Sequence, residues 1–196
     1  MRKTKLYLSN ITREEIDLLE VRQFTGKIHV IDHEEQIPDA IRILKQFATI
    51  GFDTETKPSF KKGKINKVAL LQLSARDEAF LFRLNKTGIT GELITLFEDE
   101  EIIKTGVAIK DDLRKLRAVK DFYPAGFLEL QDYSGYFNIE SNGLKKLAAI
   151  VLGVKISKSQ QLTDWEARNL TEAQKRYAAT DAWACLEIYN ALRSTD

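Results

Sequence analysis

The sequence predicts an α/β domain built on a mixed β-sheet. Several early segments alternate apolar and polar residues with period 2, which is typical of strands that have one face in a core. Two of these segments flank Arg76-Asp77-Glu78 and have the spacing of a hairpin. Farther along the chain, helical and strand-like segments alternate, which favours helices packed on a layered sheet. A length of 196 residues suits one domain with a sizeable core.

The predicted strands are short runs rich in apolar, β-branched and aromatic residues. In chain order they are KIHVID, IGFDTE, KVALLQLSA, AFLFRL and IIKTGVAI. Amphipathic spacing predicts helices around and between them, in TREEIDLLEVRQF, EQIPDAIRILKQFA, ITGELITLFED, DDLRKLRAV, GLKKLAAIVLG and TEAQKRYAATDAWACLEIYNAL. Gly153 closes the penultimate helix, and Thr171 and Gln174 have capping-box spacing at the start of the last. We expect residues 1–26 to be an arm and residues 27–196 to form the domain.

Composition limits the class of protein. The net charge of +1 gives no global basic field, so a basic surface for nucleic acid must be local. A single cysteine, Cys185, excludes an intramolecular disulfide framework and fits a reducing compartment. The N-terminus has no apolar stretch of signal-peptide length, and no run approaches transmembrane length. We therefore expect a soluble, intracellular, cytoplasmic protein that does not bind membranes.

Two carboxylates end the predicted strand IGFDTE. Its alternation places Ile50, Phe52 and Thr54 on one face, and Gly51, Asp53 and Glu55 on the other. Neighbouring like charges repel, and partial burial raises their cost. Either a cation joins Asp53 and Glu55, or this end of the strand is solvated.

The last helix contains a carboxylate among apolar residues. Positions 177, 181, 184, 188 and 192 share one helical face and read Tyr, Asp, Ala, Ile, Leu. An unpaired Asp181 on that face costs several kcal/mol or takes up a proton. It either caps or pairs with a neighbouring element, or it belongs to a site. Tyr177, one turn earlier, is either a half-buried core residue or part of the same site.

A third acidic feature is the pair Asp111-Asp112, at the predicted junction of a strand and a helix. Capping is the commonest use of Asp at such a place. In helical geometry, however, Asp112 shares a face with Leu116 and Val119, whereas Asp111 lies on the side of Arg114. We therefore expect Asp112 to point toward the sheet, and Asp111 to be a cap or a surface charge.

Together these acids predict a metal site, because α/β sheets place their chemistry at strand ends and the loops beyond them. Oxygen ligands without cysteine or clustered histidine suit Mg²⁺ or Mn²⁺ rather than zinc. Four carboxylates can hold two divalent ions about 3.5–4 Å apart for phosphoryl displacement. A lysine-rich loop follows the first acids, either as a solvated loop or as a nucleic-acid contact. Its candidate contacts are Phe60, Lys61, Lys62 and Lys64.

The segments FDTE, GVAIKDDLRKL and YAATD resemble the three motifs of the DEDD 3′–5′ exonucleases. A tyrosine four residues before the last aspartate marks the DEDDy branch. The segments GKINKVALLQLS and DWEARNLTEAQKRYAATDAWACLEIY are similar to ribonuclease D and, more closely, to the exonuclease domain of the Werner syndrome helicase. The resemblance covers roughly residues 27–193.

This resemblance implies a ribonuclease-H-like fold and release of nucleoside 5′-monophosphates from nucleic acid 3′ ends by a two-metal-ion mechanism. It implies that Asp53, Glu55, Asp112 and Asp181 are the metal-site acids, and that Tyr177 orients the attacking water. Arg114 stands where Werner-type domains have tryptophan, and Arg168 belongs to a second basic set near the last helix. We expect both arginines to contact nucleic acid. Departures from the family at these edges leave the choice of DNA or RNA open, and we expect a protein partner to supply affinity or processivity if both are low.

Two alternatives differ in class. A haloacid-dehalogenase-type phosphatase also begins with an aspartate at a strand end, but that interpretation leaves YAATD without a role. The second alternative is a catalytically silent nucleic-acid-binding module of the same fold, and a nuclease assay with and without Mn²⁺ distinguishes it from the enzyme.

Overall fold

The computed structural model describes residues 6–58, 66–141 and 143–195. Its centre is a six-stranded mixed sheet in the order β1-β4-β3-β2-β5-β6. The strands are β1 Lys27–Ile31, β2 Thr49–Thr56, β3 Val68–Ala75, β4 Glu78–Phe82, β5 Ile103–Gly106 and β6 Phe127–Glu129. Strands β2, β3 and β4 are antiparallel neighbours, whereas β1 pairs with β4, and β5 with β2 and β6, in parallel. The predicted mixed sheet and its β3–β4 hairpin are confirmed.

Helices cover both faces of the sheet. They are α1 Arg13–Asp17, α2 Ile37–Leu44, α3 Leu84–Thr87, α4 Gly91–Phe97, α5 Ile109–Arg117, α6 Leu130–Gly135, α7 Leu144–Leu147 and α8 Glu172–Arg193. A π-helical turn, Ala148–Leu152, extends α7 and ends at Gly153, which has a left-handed conformation. Among the helices of the described segments, none has both the length and the apolar character needed to cross a bilayer.

The long helix α8 lies against β2 and β3. It starts with the predicted capping box, in which Thr171 accepts a hydrogen bond from the Gln174 amide and the Gln174 side chain accepts one from the Thr171 amide. Gly51 of β2 allows the close approach of α8, because a Cβ atom there would lie 1.8 Å from the Ala182 carbonyl oxygen. This contact places the acidic end of β2 beside the middle of α8.

The start of α5 differs from the prediction. The strand before it ends at Gly106 rather than at residue 109, because Ala108 adopts a left-handed conformation with φ of +59° and turns the chain. Helix α5 therefore begins two residues before Asp111, and neither aspartate caps it. Its first amides are capped from β6, where the Glu129 carboxylate accepts hydrogen bonds of 2.9 Å from both Ala108 and Ile109.

Residues 6–26 pack against the rest of the chain. Helix α1 is shorter than predicted, and its Thr12–Glu15 capping box fixes its start. Ile11 and Ile16 are buried with Ala149, and Phe24 is buried against Ala79 and Ala179. The arm therefore reaches both the π-helical turn and α8.

Candidate active site

Three acids from two elements meet beneath a cleft of about 500 Å³. Asp53 and Glu55 come from the end of β2, and Asp181 comes from α8. Each offers one carboxylate oxygen, and the three atoms lie within 4.8 Å of one another. Asp181 is buried, with only 7% of its surface exposed. Solvation therefore does not explain why three carboxyl groups, one of them buried, lie together.

The electrostatics of the cluster favour a bound cation. Burial and neighbouring carboxylates raise the pKa of Glu55 to about 8. Burial raises the pKa of Asp181 to about 7, although the Tyr177 hydrogen bond opposes the rise. Burial and the charges of Asp181, Glu55 and Asp112 also hold the pKa of Asp53 well above its usual range. Protons occupy such a site at neutral pH unless a metal displaces them.

The donor set fits a hard divalent cation. It contains carboxylate oxygens alone, at a separation that one ion can span, and Mg²⁺ and Mn²⁺ prefer oxygen ligands. Cys185 also lines the cleft, but burial raises the pKa of its thiol well above the ordinary value. A neutral thiol does not compete with the carboxylates for a metal.

Asp112 lies outside the group of three but is held beside it. The Thr54 hydroxyl of β2 donates a 2.6 Å hydrogen bond to the Asp112 carboxylate. The charge of Asp112 also contributes to the raised pKa values of Asp53 and Glu55. Asp111 faces the other way and forms a 3.0 Å ion pair with Arg114 in which both side chains are more than 70% exposed. The expected orientation of the two aspartates is therefore observed, although Val119, placed on the inner face by the sequence, is 41% exposed.

This contrast makes a testable prediction. Asp112→Ala should abolish nuclease activity at every Mg²⁺ or Mn²⁺ concentration, because the acid held by Thr54 is lost from the cluster. Asp111→Ala should keep activity and lose no more than about 1 kcal/mol of stability, because exposed ion pairs contribute little. Rates on a labelled oligonucleotide and melting temperatures of both variants provide the test. If Asp111→Ala is inactive and Asp112→Ala is active, the assignment of the second acidic motif is wrong.

Tyr177 lies one helical turn before Asp181, lines the same cleft, and its hydroxyl lowers the pKa of the Asp181 carboxyl against the effect of burial. Burial and the nearby acids raise the pKa of Tyr177 above its ordinary value of 10. The phenol is therefore neutral at physiological pH and acts as a hydrogen-bond donor rather than as a base.

The loop before α8 supports Tyr177. Trp165 is fully buried with its ring centroid 6.0 Å from that of Tyr177. Arg83, itself 1% exposed, donates hydrogen bonds to the carbonyl oxygens of Ala167 and Arg168 and so fixes the loop. Lys57, two residues after Glu55, forms a 3.0 Å ion pair with Asp164 of the same loop. The loop is thus held from β4 and from β2.

The cleft also has a basic wall. Lys145 and Lys146 of α7 and Lys158 of the following loop line it together with the acids. The charges of Lys158 and Lys145 lower the pKa of Asp181, so both lysines act on the acidic cluster. Neither Lys145 nor Lys146 was predicted as a site residue from the sequence. The signal was the pair of lysines in GLKKLAAIVLG, on an otherwise apolar helix.

Two of the predicted nucleic-acid contacts, Arg114 and Arg168, lie among the described residues, and neither lines the cleft. Phe60, Lys61, Lys62 and Lys64 lie outside the described residues. Arg114 is exposed in its pair with Asp111. Arg168 is exposed and is not among the described residues that line the cleft. Among the described residues, the basic wall is therefore better placed for a polyanion than Arg114 or Arg168.

Comparison with known proteins identifies the architecture. A family model described as a 3′–5′ exonuclease matches residues 28–195. The structure of the Aedes aegypti Nibbler EXO domain superposes with a TM-score of 0.78 at 24% identity, covering 89% of this chain and 92% of that chain. Escherichia coli RNase D superposes with a TM-score of 0.76 at 27% identity, covering 86% and 45%. These likenesses confirm the ribonuclease-H-like mixed sheet.

Sequence relatives agree with the family model. This chain is 36% identical over 149 residues to the mouse protein "Bifunctional 3'-5' exonuclease/ATP-dependent helicase WRN", covering 73% of this chain and 11% of that protein. It is 34% identical over 188 residues to "Putative 3'-5' exonuclease R431" of Acanthamoeba polyphaga mimivirus, covering 86% and 45%. The chain thus spans less than half the length of these relatives. With a family match over residues 28–195, the chain belongs to the 3′–5′ exonuclease family.

Proposed function

We propose that this chain removes nucleotides one at a time from the 3′ ends of nucleic acids and releases nucleoside 5′-monophosphates. The observation that carries the proposal is the group of Asp53, Glu55 and Asp181, whose carboxylate oxygens lie within 4.8 Å of one another beside Tyr177. We propose that these three acids and Asp112 hold two divalent ions, Mg²⁺ or Mn²⁺. The family match supports the chemistry, and the all-oxygen donor set supports the choice of metals.

The metal pair supplies, when bound, charge stabilisation for the attacking and leaving oxygens of the phosphodiester. The chain itself contributes orientation and electrostatics. The neutral Tyr177 phenol, which lines the cleft beside Asp181, positions the attacking water through a hydrogen bond. Lys145 and Lys158 bind non-bridging phosphate oxygens and balance the charge of the substrate against the acids. Thr54 orients Asp112 through their hydrogen bond.

The proposal is tested with a 5′-labelled oligonucleotide, as matched DNA and RNA, in Mg²⁺, Mn²⁺ and chelator. A ladder that shortens from the 3′ end, and that requires metal, supports it. Immediate release of the labelled mononucleotide contradicts the polarity. Binding without cleavage in either metal supports the silent binding module instead. Family membership removes the phosphatase alternative, which gave no role to Asp181.

We also propose that the arm comprises residues 1–26 and the exonuclease domain residues 27–196, because the family match begins at residue 28. A cytoplasmic location belongs to the same proposal and is supported by the single, buried Cys185. A protein partner that supplies affinity or processivity is a further part of it. The partner is supported by the modest net charge of +1, which gives little long-range attraction for nucleic acid.

Tyr177→Phe tests the role of the phenol. Loss of one hydrogen bond to water should lower kcat about 10- to 100-fold, while metal binding remains, because no carboxylate is removed. Tyr189→Phe removes the same atom from a buried site on the same helix, packed against Tyr133, and should keep kcat. The measurements are kcat and the rise of melting temperature with Mg²⁺. An unchanged kcat would reduce Tyr177 to a packing residue.

The metal-free protein should lose stability as pH rises from 5 to 7.5. A carboxyl with a raised folded-state pKa holds its proton more tightly when folded, so the stability present below about pH 4.5 is lost toward pH 7–8. Mg²⁺ should restore it, with a gain that grows with pH. The upper limit is set at 7.5 because Lys104, with its pKa lowered to about 8 by burial, acts in the opposite direction above that pH. A metal-free melting temperature that climbs steadily from pH 5 to 7.5 contradicts the assignment.

A further inference from the structure

A second, smaller pocket of about 280 Å³ adjoins the active-site cleft. Ser157 and Tyr177 line both cavities, so the two are neighbours across a shared wall. The far side of the second pocket is formed by the arm, with Val21, Arg22 and Gln23. These arm residues precede the stretch that the family model matches. We call this cavity the arm pocket.

Backbone hydrogen bonds hold the arm segment beside the pocket. The Arg22 amide donates to the Lys155 carbonyl oxygen at 2.8 Å, and the Lys155 amide donates to that of Glu20 at 2.9 Å. The Phe24 amide donates to the Thr180 hydroxyl at 3.0 Å, and Phe24 itself is 3% exposed. The segment is thus tied to the loop after the π-helical turn and to α8, which fixes the backbone that carries Arg22.

Arg176 completes the basic lining from α8. One of its terminal nitrogens donates to the Phe24 carbonyl oxygen at 2.9 Å, which holds the guanidinium at the pocket. Its remaining N–H groups have no carboxylate partner within 4.0 Å in the described segments, and the same holds for Arg22. The lining therefore contains two arginines and, among described residues, no acid.

The basic residues around the two cavities differ in whether a carboxylate pairs with them. Lys155 is neutralised by Asp17 at 2.6 Å, and Lys175 by Glu172 at 2.7 Å. Lys145 and Lys158 of the cleft have no such partner among the described residues, and neither have the two arginines of the arm pocket. Cations without an ion-pair partner within 4.0 Å among the described residues thus extend from the cleft past Tyr177 to the arm. Such a surface suits an extended polyanion.

We propose that the arm pocket is a phosphodiester subsite, which binds the substrate strand on the 5′ side of its scissile bond through Arg22 and Arg176. This inference rests on the proposed exonuclease function. A guanidinium group binds phosphate through two parallel hydrogen bonds. The Arg176 guanidinium is already oriented by its hydrogen bond to the Phe24 carbonyl oxygen. The arm then acts as part of the substrate site and gives the enzyme a preference for longer strands.

The binding test compares Arg22→Gln with Arg13→Gln. Arg13 is a control in the same arm, and its side chain is 90% exposed. Both changes are made in a chain that carries Asp181→Asn, so that a 5′-fluorescein hexanucleotide stays intact during anisotropy measurements. Arg22→Gln should weaken binding about tenfold and lower the slope of log K against log salt by about 0.7, the value for one single-strand phosphate. Arg13→Gln should change neither, and Arg22→Lys should restore the slope.

The activity test uses the chain with Asp181 intact, on dinucleotide and hexanucleotide substrates. The loss of kcat/KM caused by Arg22→Gln should be about fivefold greater on the hexanucleotide, because a dinucleotide does not extend into the arm pocket. Equal losses on both lengths, or affinity and salt slope equal to those of the parent, overturn the subsite. If the unaltered chain hydrolyses neither DNA nor RNA, the exonuclease proposal fails, whereas the anisotropy result still decides whether Arg22 binds the strand.

Discussion

Asp181→Asn should reduce exonuclease activity by about 10²–10³-fold or more while making the metal-free protein more stable. Asparagine has nearly the same shape and still offers an oxygen to the Tyr177 hydroxyl, so packing on α8 is kept. The variant loses the one charge that α8 contributes to the group within 4.8 Å. Metal affinity therefore falls, and the repulsion of Asp53 and Glu55 falls with it.

The stability gain should depend on pH. Asp181 has a folded-state pKa of about 7 against the ordinary 3.8, so its ionised form destabilises the metal-free fold at pH 8 but not at pH 4. At pH 8 the free energy of unfolding of the metal-free variant should then exceed that of the parent by on the order of 1–3 kcal/mol. At low pH the two free energies should converge. Asp39→Asn is the matched control, since Asp39 pairs with Arg42 at an exposed site, and should change activity and stability little.

The two readouts distinguish a metal site from a structural carboxylate. If Asp181 were an ordinary buried partner of Tyr177, its removal would destabilise the protein at every pH and leave the response to Mg²⁺ intact. Retention of near wild-type turnover would falsify the metal-ligand assignment for Asp181. The same design applied to Asp53→Asn should give the same pair of opposite effects.

Local patterns in the sequence predicted the parts of this site that lie on regular elements. Alternation in IGFDTE placed Asp53 and Glu55 on one face of β2, and helical spacing placed Tyr177 and Asp181 on one face of α8. Both patterns are properties of the element itself, because the periods of 2 and 3.6 follow from backbone geometry. The capping box at Thr171 was predictable for the same reason, since both partners lie within one turn.

The parts that sequence reasoning missed depend on contacts between distant segments. Strand β6, Phe127–Glu129, is too short to show a period, and it forms because β5 offers a parallel edge. Its Glu129 then caps α5, so the cap lies about twenty residues from the amides that it satisfies. Asp111 was expected to be a cap or a surface charge, because nothing in its local sequence indicates a distant cap.

The basic wall was missed for a related reason. Lys145 and Lys146 reach the cleft because α7 and its π-helical turn pack on α8. A two-lysine signal on a four-residue helix does not indicate which way the helix faces. The arm pocket depends in the same way on hydrogen bonds between residues 20–24 and positions 155–180.

Gly51→Ala should impair both stability and activity, although Gly51 carries no functional group. A Cβ atom at this position would lie 1.8 Å from the Ala182 carbonyl oxygen and 3.2 Å from the Cβ atom of Leu186. The clash is with helix backbone, so no side-chain rotation relieves it. β2 is hydrogen-bonded to β3 on one side and to β5 on the other, so it cannot move out of the sheet, away from α8, without breaking those pairings. Helix α8 must therefore shift outward, at a cost of about 1–3 kcal/mol or more.

The shift should act on the site directly, because Gly51 precedes Asp53 on the same face of β2 and Ala182 follows Asp181. Moving α8 away from β2 separates Asp181 from Asp53 and Glu55, and a displacement of about 1 Å at a reacting site can cost 10²-fold in rate. We expect the melting temperature to fall, and kcat to fall about 10²-fold at a temperature where the variant is still fully folded. The rise of melting temperature with Mg²⁺ should be smaller than in the parent.

Gly91→Ala is the matched control. A Cβ atom at Gly91, in the first turn of α4, would have no heavy atom within 4 Å, so this variant should be neutral or slightly stabilised. A Gly51→Ala protein that melts lower but keeps full kcat and the full response to Mg²⁺ would show that the acids tolerate a displaced α8. The metal site would then depend less on the β2–α8 spacing than the contact between Gly51 and Ala182 indicates. If Gly51→Ala loses both kcat and the response to Mg²⁺ while Gly91→Ala keeps them, the geometry of the acids depends on the absence of a side chain at Gly51.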